Sequence, residues 1–201
     1  MKVSVGAKTT LYPDPVIVVG TYDSHGRPNA MVAAWGGICC SAPPCIAVSL
    51  RPATFTYRNI TEQNAFTVNI PSVKYLREVD FFGTTSGIDT DKFAVTRLTP
   101  VKSSLVNAPY VEEFPIVMEC RLLQTVNIGM HTQFIGEILD TKVDEAVMGA
   151  DRKPDVTKIQ PFCYDAFRQE YYCTGTAIGK AFFEGKKIKT PPDHRRTPDH
   201  P

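Results

Sequence analysis

The chain has 201 residues, 43% of them apolar, which suits one globular domain with a substantial core. Lysine and arginine number 22 against 21 acidic residues, and this balance excludes the basic excess typical of nucleic-acid or anionic-membrane binding. No apolar run is long enough to span a bilayer, and the first residues lack a secretory h-region. We therefore expect a cytoplasmic domain over residues 1–190 and a flexible, proline-rich polar tail over residues 191–201.

The first third of the chain is typical of an antiparallel β-protein. Residues 15–22 are apolar and β-branched, residues 23–28 form a turn, and residues 29–35 return as a second strand that Gly36-Gly37 ends. The adjacent prolines at 43 and 44 predict a loop before a third strand over residues 45–50. This succession of short strands and turns favours a barrel or a sandwich.

Two helices and three more strands are predicted downstream. Thr54 is placed to cap a first helix, and residues 65–70 alternate as a strand does. Ser72 is an N-cap for a second helix over residues 73–82, with Gly83 as its C-terminal cap. Residues 94–114 are irregular in pattern. Long strands over residues 115–128 and 131–144 form a hairpin, and residues 158–175 predict shorter strands or a loop.

Six cysteines stand at positions 39, 40, 45, 120, 163 and 173. Structural zinc usually requires two Cys-x2–4-Cys or Cys/His pairs, and Cys40-x4-Cys45 has no second pair, so we predict no metal site. Adjacent Cys39 and Cys40 would form only a strained ring if bonded to each other. We expect Cys39, Cys40 and Cys45 to be small apolar fillers beside the functional site.

Two polar segments carry the groups that bind phosphate. Ser49, Arg51, Thr54 and Thr56 lie at the start of the first predicted helix, where free backbone N–H groups and the helix dipole favour an anion. Residues 84–93 add hydroxyls, Gly87 and a lysine. Each segment alone is typical of caps and turns. Because each lies next to the end of a predicted strand, we expect the two to meet at one phosphate group.

Common nucleotide and hydrolase motifs are absent from this sequence. It contains no G-x-G-x-x-G, no G-x-x-x-x-G-K-[ST] and no G-x-S-x-G, which counts against a doubly wound nucleotide fold and an ordinary hydrolase. His131 opens a predicted strand within the β-region, and it is therefore the histidine that we expect to contact a ligand.

Several short motifs, in order, resemble the flavin reductase-like, FMN-binding split-barrel family. They are residues 29–31, 43–44, 48–49, 56, 60 and 66–69, followed by His131 to Ile138. Phe82-Gly83-Thr84-Thr85-Ser86-Gly87, closed by Asp91-Lys92-Phe93, is similar to the flavoredoxin branch of that family. The matches cover about residues 15 to 145.

The resemblance implies a mainly β fold, a six-stranded antiparallel split β-barrel with Greek-key wiring and a few short helices. It implies a homodimer with one FMN per subunit near the interface. Residues 29–33 would lie along the isoalloxazine. Two cations would face the phosphate: Arg51, from the segment at the start of the first helix, and Lys92, from residues 84–93. The cofactor-binding residues implied are Asn29, Ala30, Met31, Val32, Ala33, Ser49, Leu50, Arg51, Thr54, Thr56, Asn69, Ser86, Gly87, Lys92 and His131. No catalytic side chain is assigned, since the flavin carries the chemistry.

Two departures from the family pattern bear on function. Val32 stands where many flavin reductases have threonine, and Gly129-Met130-His131 stands where many have Gly-Asp-His. Both departures favour the flavoredoxin branch, in which FMN stays bound and passes electrons onward. The resemblance as a whole implies an oxidoreductase that moves electrons from NADH, NADPH or a redox protein partner through FMN. The alternatives are an FMN electron carrier without nicotinamide activity, and a split barrel that binds another cofactor such as haem.

Overall fold

A computed structural model describes residues 1–188, and the predicted tail over residues 191–201 lies outside that range. The strands in this range are β1 (Asp14–Pro15), β2 (Ile17–Tyr22), β3 (Pro28–Ala33), β4 (Gly36–Ser41), β5 (Pro44–Leu50), β6 (Ala65–Ile70), β7 (Pro100–Lys102), β8 (Pro109–Val111), β9 (Ile116–Ile128), β10 (His131–Val143), β11 (Phe162–Asp165) and β12 (Glu170–Cys173). The α-helices are α1 (Phe55–Gln63), α2 (Leu76–Thr84), α3 (Lys92–Thr96) and α4 (Val156–Ile159). Short 3₁₀ helices cover Val73–Tyr75, Glu145–Val147 and Glu184–Lys187.

The main sheet is antiparallel and has the strand order β3-β2-β6-β9-β10-β5-β4. The mainly β prediction is confirmed, with seven strands in this sheet rather than six. The additional strand is β4, where Gly36-Gly37 and the two prolines predicted a loop. β4 pairs with β5 along one edge only and exposes most of its residues, so it lacks the apolar alternation that marks a strand in sequence.

The sheet is rolled, because its two edge strands are consecutive in the chain. β3 ends at Ala33 and β4 begins at Gly36, so only Ala34 and Trp35 cross from one edge of the sheet to the other. A chain of three peptide units spans about 11 Å at most, so the two edges must converge at this corner. The Ser49 N–H donates to the Trp35 carbonyl at 2.9 Å and holds β5 to the same corner.

Two apolar clusters lie on opposite faces of the sheet. The inner cluster fills the barrel with residues from β2, β3, β5, β6, β9, β10 and α1, among them Val19, Val48, Ile60, Phe66, Val68 and Phe134. The outer cluster joins the other face of β2 and β3 to α2, α3 and β11, with Val18, Ala30, Val79, Phe82, Phe93 and Phe162. Alternate residues of one strand therefore support both layers.

Local capping explains where the helices begin. Thr54 Oγ1 accepts a hydrogen bond from the Tyr57 N–H and caps α1, as predicted. Ser72 caps a single 3₁₀ turn, and α2 starts only at Leu76. The prediction for Gly83 was wrong: the helix continues through Gly83 to Thr84, and its C-cap is Thr85.

Within residues 1–188, the longest α-helices have nine residues, and none is long and apolar enough to cross a membrane.

Candidate functional site

A cleft of ≈ 230 Å³ opens at the N-terminus of α1, and we call it the Thr56 cleft. The end of α2 and the loop that follows it form its opposite wall. Its lining residues are Asn29, Met31, Ala53, Thr54, Phe55, Thr56, Phe82, Gly83, Thr84, Thr85, Ser86, Gly87 and Lys92. The two polar segments found in the sequence therefore meet in one cleft.

Lys92 is the cation of the Thr56 cleft, although only 3% of the residue is exposed. Its Nζ donates to the Ala30 carbonyl at 2.7 Å and to the Phe82 carbonyl at 2.9 Å. Burial lowers the pKa of Lys92 to about 8. An ammonium has three N–H groups, so two carbonyls leave one for a further acceptor.

Asn29 is a buried amide in the same cleft. Its Nδ2 donates to Thr56 Oγ1 at 2.9 Å, and among residues 1–188 no donor reaches its Oδ1. Gly87 packs against this amide: a Cβ at position 87 would lie 2.1 Å from Asn29 Oδ1. A glycine is therefore required there for the loop to approach β3 so closely.

Two further clefts adjoin the Thr56 cleft, and the three together form a groove along β3. The Tyr171 cleft, ≈ 310 Å³, shares Gly83 and Thr84 with the Thr56 cleft, and its other lining residues are Val16, Val32, Ala34, Asp80, Tyr164, Gln169 and Tyr171. The Asp14 cleft, ≈ 300 Å³, shares Ala34 with the Tyr171 cleft, and its other lining residues are Thr9, Thr10, Leu11, Asp14, Pro15, Trp35 and Gly36. The three clefts follow β3 from Asn29 to the corner at Trp35, about 20 Å at the rise of a strand.

Aromatic side chains line the far part of this groove. The Tyr171 hydroxyl donates to Asp80 Oδ1 at 2.8 Å, and the Tyr171 and Tyr164 rings lie 5.5 Å apart. Burial and the bond to Asp80 raise the pKa of Tyr171 above its usual range. The Trp35 and His131 rings lie 4.7 Å apart. His131 therefore faces the corner where β3 and β4 meet.

The remaining predicted residues do not all reach the groove. Ala30, Ala33 and Leu50 are buried in the two apolar clusters, and Ser49 is half-buried on β5. The amide of Asn69 is fully used inside the sheet, where it donates to Val18 and Thr67 and accepts from the Val111 N–H. Arg51 is exposed, and it is not among the residues that line the Thr56 cleft.

Sequence reasoning missed Arg27. Its Nη2 donates to the Gly87 carbonyl at 3.3 Å, and its guanidinium lies 5.7 Å from the centre of the Phe55 ring at the edge of the Thr56 cleft. Its place in a polar turn gave no signal, because the contact depends on a loop sixty residues away.

The cysteine prediction was partly wrong: Cys45 is a buried filler, whereas Cys39 and Cys40 are exposed on β4.

Comparisons with known proteins agree with this architecture. The family described as "Flavin reductase like domain" matches residues 9–164. The flavoredoxin of Desulfovibrio vulgaris (Miyazaki F) is 53% identical, with a TM-score of 0.88 over 92% of this chain and 100% of that one. Flavoredoxin from Methanosarcina acetivorans is 27% identical, with a TM-score of 0.87 over 93% and 98%. A high molecular weight rubredoxin of Moorella thermoacetica is 33% identical over 119 residues, 58% of this chain and 51% of that protein.

Proposed function

Because this chain belongs to the flavin reductase-like family, in its flavoredoxin branch, we propose that it is an FMN-binding oxidoreductase. In this proposal electrons enter from NADH, NADPH or a redox protein partner and leave to an acceptor by way of FMN. Bound FMN would supply the electron-transfer chemistry, and the protein would position the ring and control access to it.

The observation that carries this proposal is the chemistry of the Thr56 cleft. The hydroxyls of Thr56 and Ser86, the N-terminus of α1 and the Lys92 ammonium line one space of ≈ 230 Å³. The Thr54 hydroxyl, which caps α1, already donates to the Arg51 carbonyl. A phosphate monoester is a compact dianion with several acceptor oxygens, and such a donor set fits it. The residues present thus fit the phosphate end of FMN.

Asn29 supports the same assignment. Its buried Oδ1 lacks a donor within residues 1–188, and a buried acceptor left unpaired costs about 1–3 kcal/mol. The ribityl chain of FMN carries hydroxyl donors next to its phosphate, and one of them would satisfy Oδ1. The Asn29 amide already donates to Thr56 Oγ1, so the Thr56 hydroxyl proton is free to point towards the phosphate.

The groove along β3 provides room for the ring. Met31 and Val32 line it beyond Asn29, and within residues 1–188 no strand pairs with the outer side of this edge strand. We propose that residues 29–33 run beside the isoalloxazine and that His131, held against Trp35, reaches its edge or the incoming electron donor. Ser49 and Arg51 would complete the surroundings of the ribityl phosphate.

The protein would act as a cytoplasmic homodimer with FMN near the interface. A second candidate function, an FMN electron carrier without nicotinamide activity, is favoured by Gly129-Met130-His131, where the aspartate of many flavin reductases is missing. Mixing the purified protein with NADH or NADPH separates the two functions. Bleaching of the flavin without any partner supports the reductase, and an unchanged spectrum supports the carrier.

The absorption spectrum of the protein as isolated tests the cofactor. Flavin bands are expected, whereas a Soret band would indicate haem and overturn the proposal. The matched variants are Thr56→Val, which removes a hydroxyl in the cleft, and Thr61→Val, which removes an exposed hydroxyl on the same helix. Thr56→Val should weaken FMN binding at least about tenfold, the value of one hydrogen bond to a charged group, and Thr61→Val should not. Equal FMN affinity of the two variants would contradict the site.

A further inference from the structure

The Asp14 cleft is lined by the buried carboxyl group of Asp14. Asp14 is 3% exposed, and its Oδ2 has no hydrogen-bond donor within the part of the chain that the structure describes. Desolvation raises the pKa of this carboxyl above its usual value. A buried carboxylate oxygen without a donor is costly, so its unpaired state in this structure calls for an explanation.

The backbone around Asp14 explains how the residue is buried. β1 pairs with β11 so that Asp14 lies opposite Tyr164, and Pro15 lies opposite Cys163. Tyr164 lines the Tyr171 cleft, so the pairing places the carboxylate beside the groove along β3. Thr9, Thr10 and Leu11 line the Asp14 cleft together with Asp14. The carboxylate is thus at the wall of an open cavity.

One of the side chains that line this cavity is aromatic. Trp35 lines the Asp14 cleft and is 41% exposed, and its ring contacts His131. A large indole beside a cavity of ≈ 300 Å³ offers a flat apolar surface for a planar ring. The cavity therefore combines a stacking surface with one strong acceptor.

We propose that Asp14 is a specificity residue that accepts the N–H of a planar nitrogen heterocycle bound against Trp35. This proposal rests on the proposed function, because the cleft continues the groove in which we place FMN. Carboxylates prefer N–H donors, and a bond to a charged acceptor is stronger than a bond between neutral groups. Two ligands carry this chemistry: the imide N–H of the flavin ring and the carboxamide N–H of a nicotinamide donor.

The fluorescence of Trp35 provides the readout, because it is the only tryptophan in the chain. The quenching of this fluorescence is followed while FMN is added to the apoprotein. It is also followed while NAD⁺, which transfers no electrons to the oxidised flavin, is added to the FMN-loaded protein. The variants are Asp14→Leu, which removes the acceptor, and Asp14→Asn, which keeps the shape and one oxygen. Asp89→Asn, at an exposed position, is the control.

We expect Asp14→Leu to weaken the binding of one probe at least about tenfold and Asp14→Asn to weaken it less. Weaker FMN binding alone identifies the flavin ring as the donor, and weaker NAD⁺ binding alone identifies the nicotinamide. Should Asp14→Leu stay folded and bind both probes within twofold of the Asp89→Asn control, the role of Asp14 is refuted; if Asp14→Leu does not fold, the same result for Asp14→Asn refutes it. A wild-type apoprotein that binds no FMN would instead refute the proposed function, so the two failures are distinguishable.

Discussion

The buried lysine of the Thr56 cleft should make the proposed FMN binding depend on pH in a defined direction. Burial lowers the pKa of Lys92 to about 8 from 10.5, which corresponds to about 3 kcal/mol against the charged form. A phosphate dianion in the cleft favours the charged form, so binding should restore the ammonium and take up a proton. Above pH 8 that proton must be withdrawn from an increasingly basic solution, and FMN affinity should fall.

The size of this effect follows from the fraction of Lys92 that is protonated in the apoprotein. With a pKa of about 8, the fraction falls from about half at pH 8 to about 3% at pH 9.5, so the FMN dissociation constant should rise about 15-fold. Below pH 7 the lysine is already charged, and this contribution disappears. Riboflavin, which lacks the phosphate, should bind with no such change.

Isothermal titration calorimetry measures both the FMN dissociation constant and the number of protons taken up on binding. Titrations in two buffers with different ionisation heats give the number of protons taken up, expected to be about one half at pH 8 and about 0.9 at pH 9. Lys92→Met should bind FMN weakly at every pH, although it leaves the carbonyls of Ala30 and Phe82 unpaired and lowers stability. A flat FMN affinity from pH 7.5 to 9.5 with no proton uptake by the wild type would refute the reasoning.

The same lysine affects the pH dependence of folding stability, and the direction is opposite to that expected for a salt-bridged lysine. The folded state holds the proton less tightly than the unfolded state, so the free energy of unfolding of the apoprotein rises between pH 8 and 10.5. Between pH 8 and 10.5 the free energy of unfolding of the wild type should rise by up to about 3 kcal/mol more than that of Lys92→Met. Urea titrations at matched pH values measure the difference.

Three further predictions follow from packing, capping and exposure. Gly87→Ala places a methyl group against the Asn29 amide, so it should lower the free energy of unfolding by about 1–3 kcal/mol and impair FMN binding. A Cβ at Gly37 would meet no atom within 4 Å, so the control Gly37→Ala should have neither effect. Urea and FMN titrations of the two variants measure the difference. Thr54→Ala removes the cap of α1 and should cost about 1 kcal/mol in the same urea titration; an unchanged midpoint would contradict the cap. A thiol reagent applied to the native protein should label exposed cysteines and spare buried ones, as mass spectrometry of peptides can check; the exposed set is Cys39, Cys40 and Cys173, and the buried set is Cys45 and Cys120.

Much of the fold could be predicted from the sequence because most strands of the barrel bury a face. β2, β5 and β6 are nearly continuous runs of buried residues, and the hairpin of β9 and β10 turns at Gly129 with a φ of +53°. β4 could not be found in this way. It is an edge strand whose exposed residues need no apolar pattern, and only its pairing with β5 defines it.

The candidate site could be predicted in part. Thr54, Thr56, Ser86 and Gly87 do meet in one cleft, and the clustering of hydroxyls at a helix start and in a Gly-containing loop was visible in the sequence. The environment of Lys92 was not predictable, since the two carbonyls that hold it belong to β3 and α2. Asp14 gave no signal at all, because its burial depends on a pairing with residues 150 positions later in the chain.

The corner at Ala34 and Trp35 has a consequence for how the chain folds. Bringing the two sheet edges together costs little loop entropy, since two residues separate them. The pairing of β5 with β10, by contrast, joins Val48 to Phe134, which are far apart in the chain. Because such distant contacts are slow to form, we expect the rate-limiting step to be the docking of the β9–β10 hairpin between two preassembled halves, with the corner already in place.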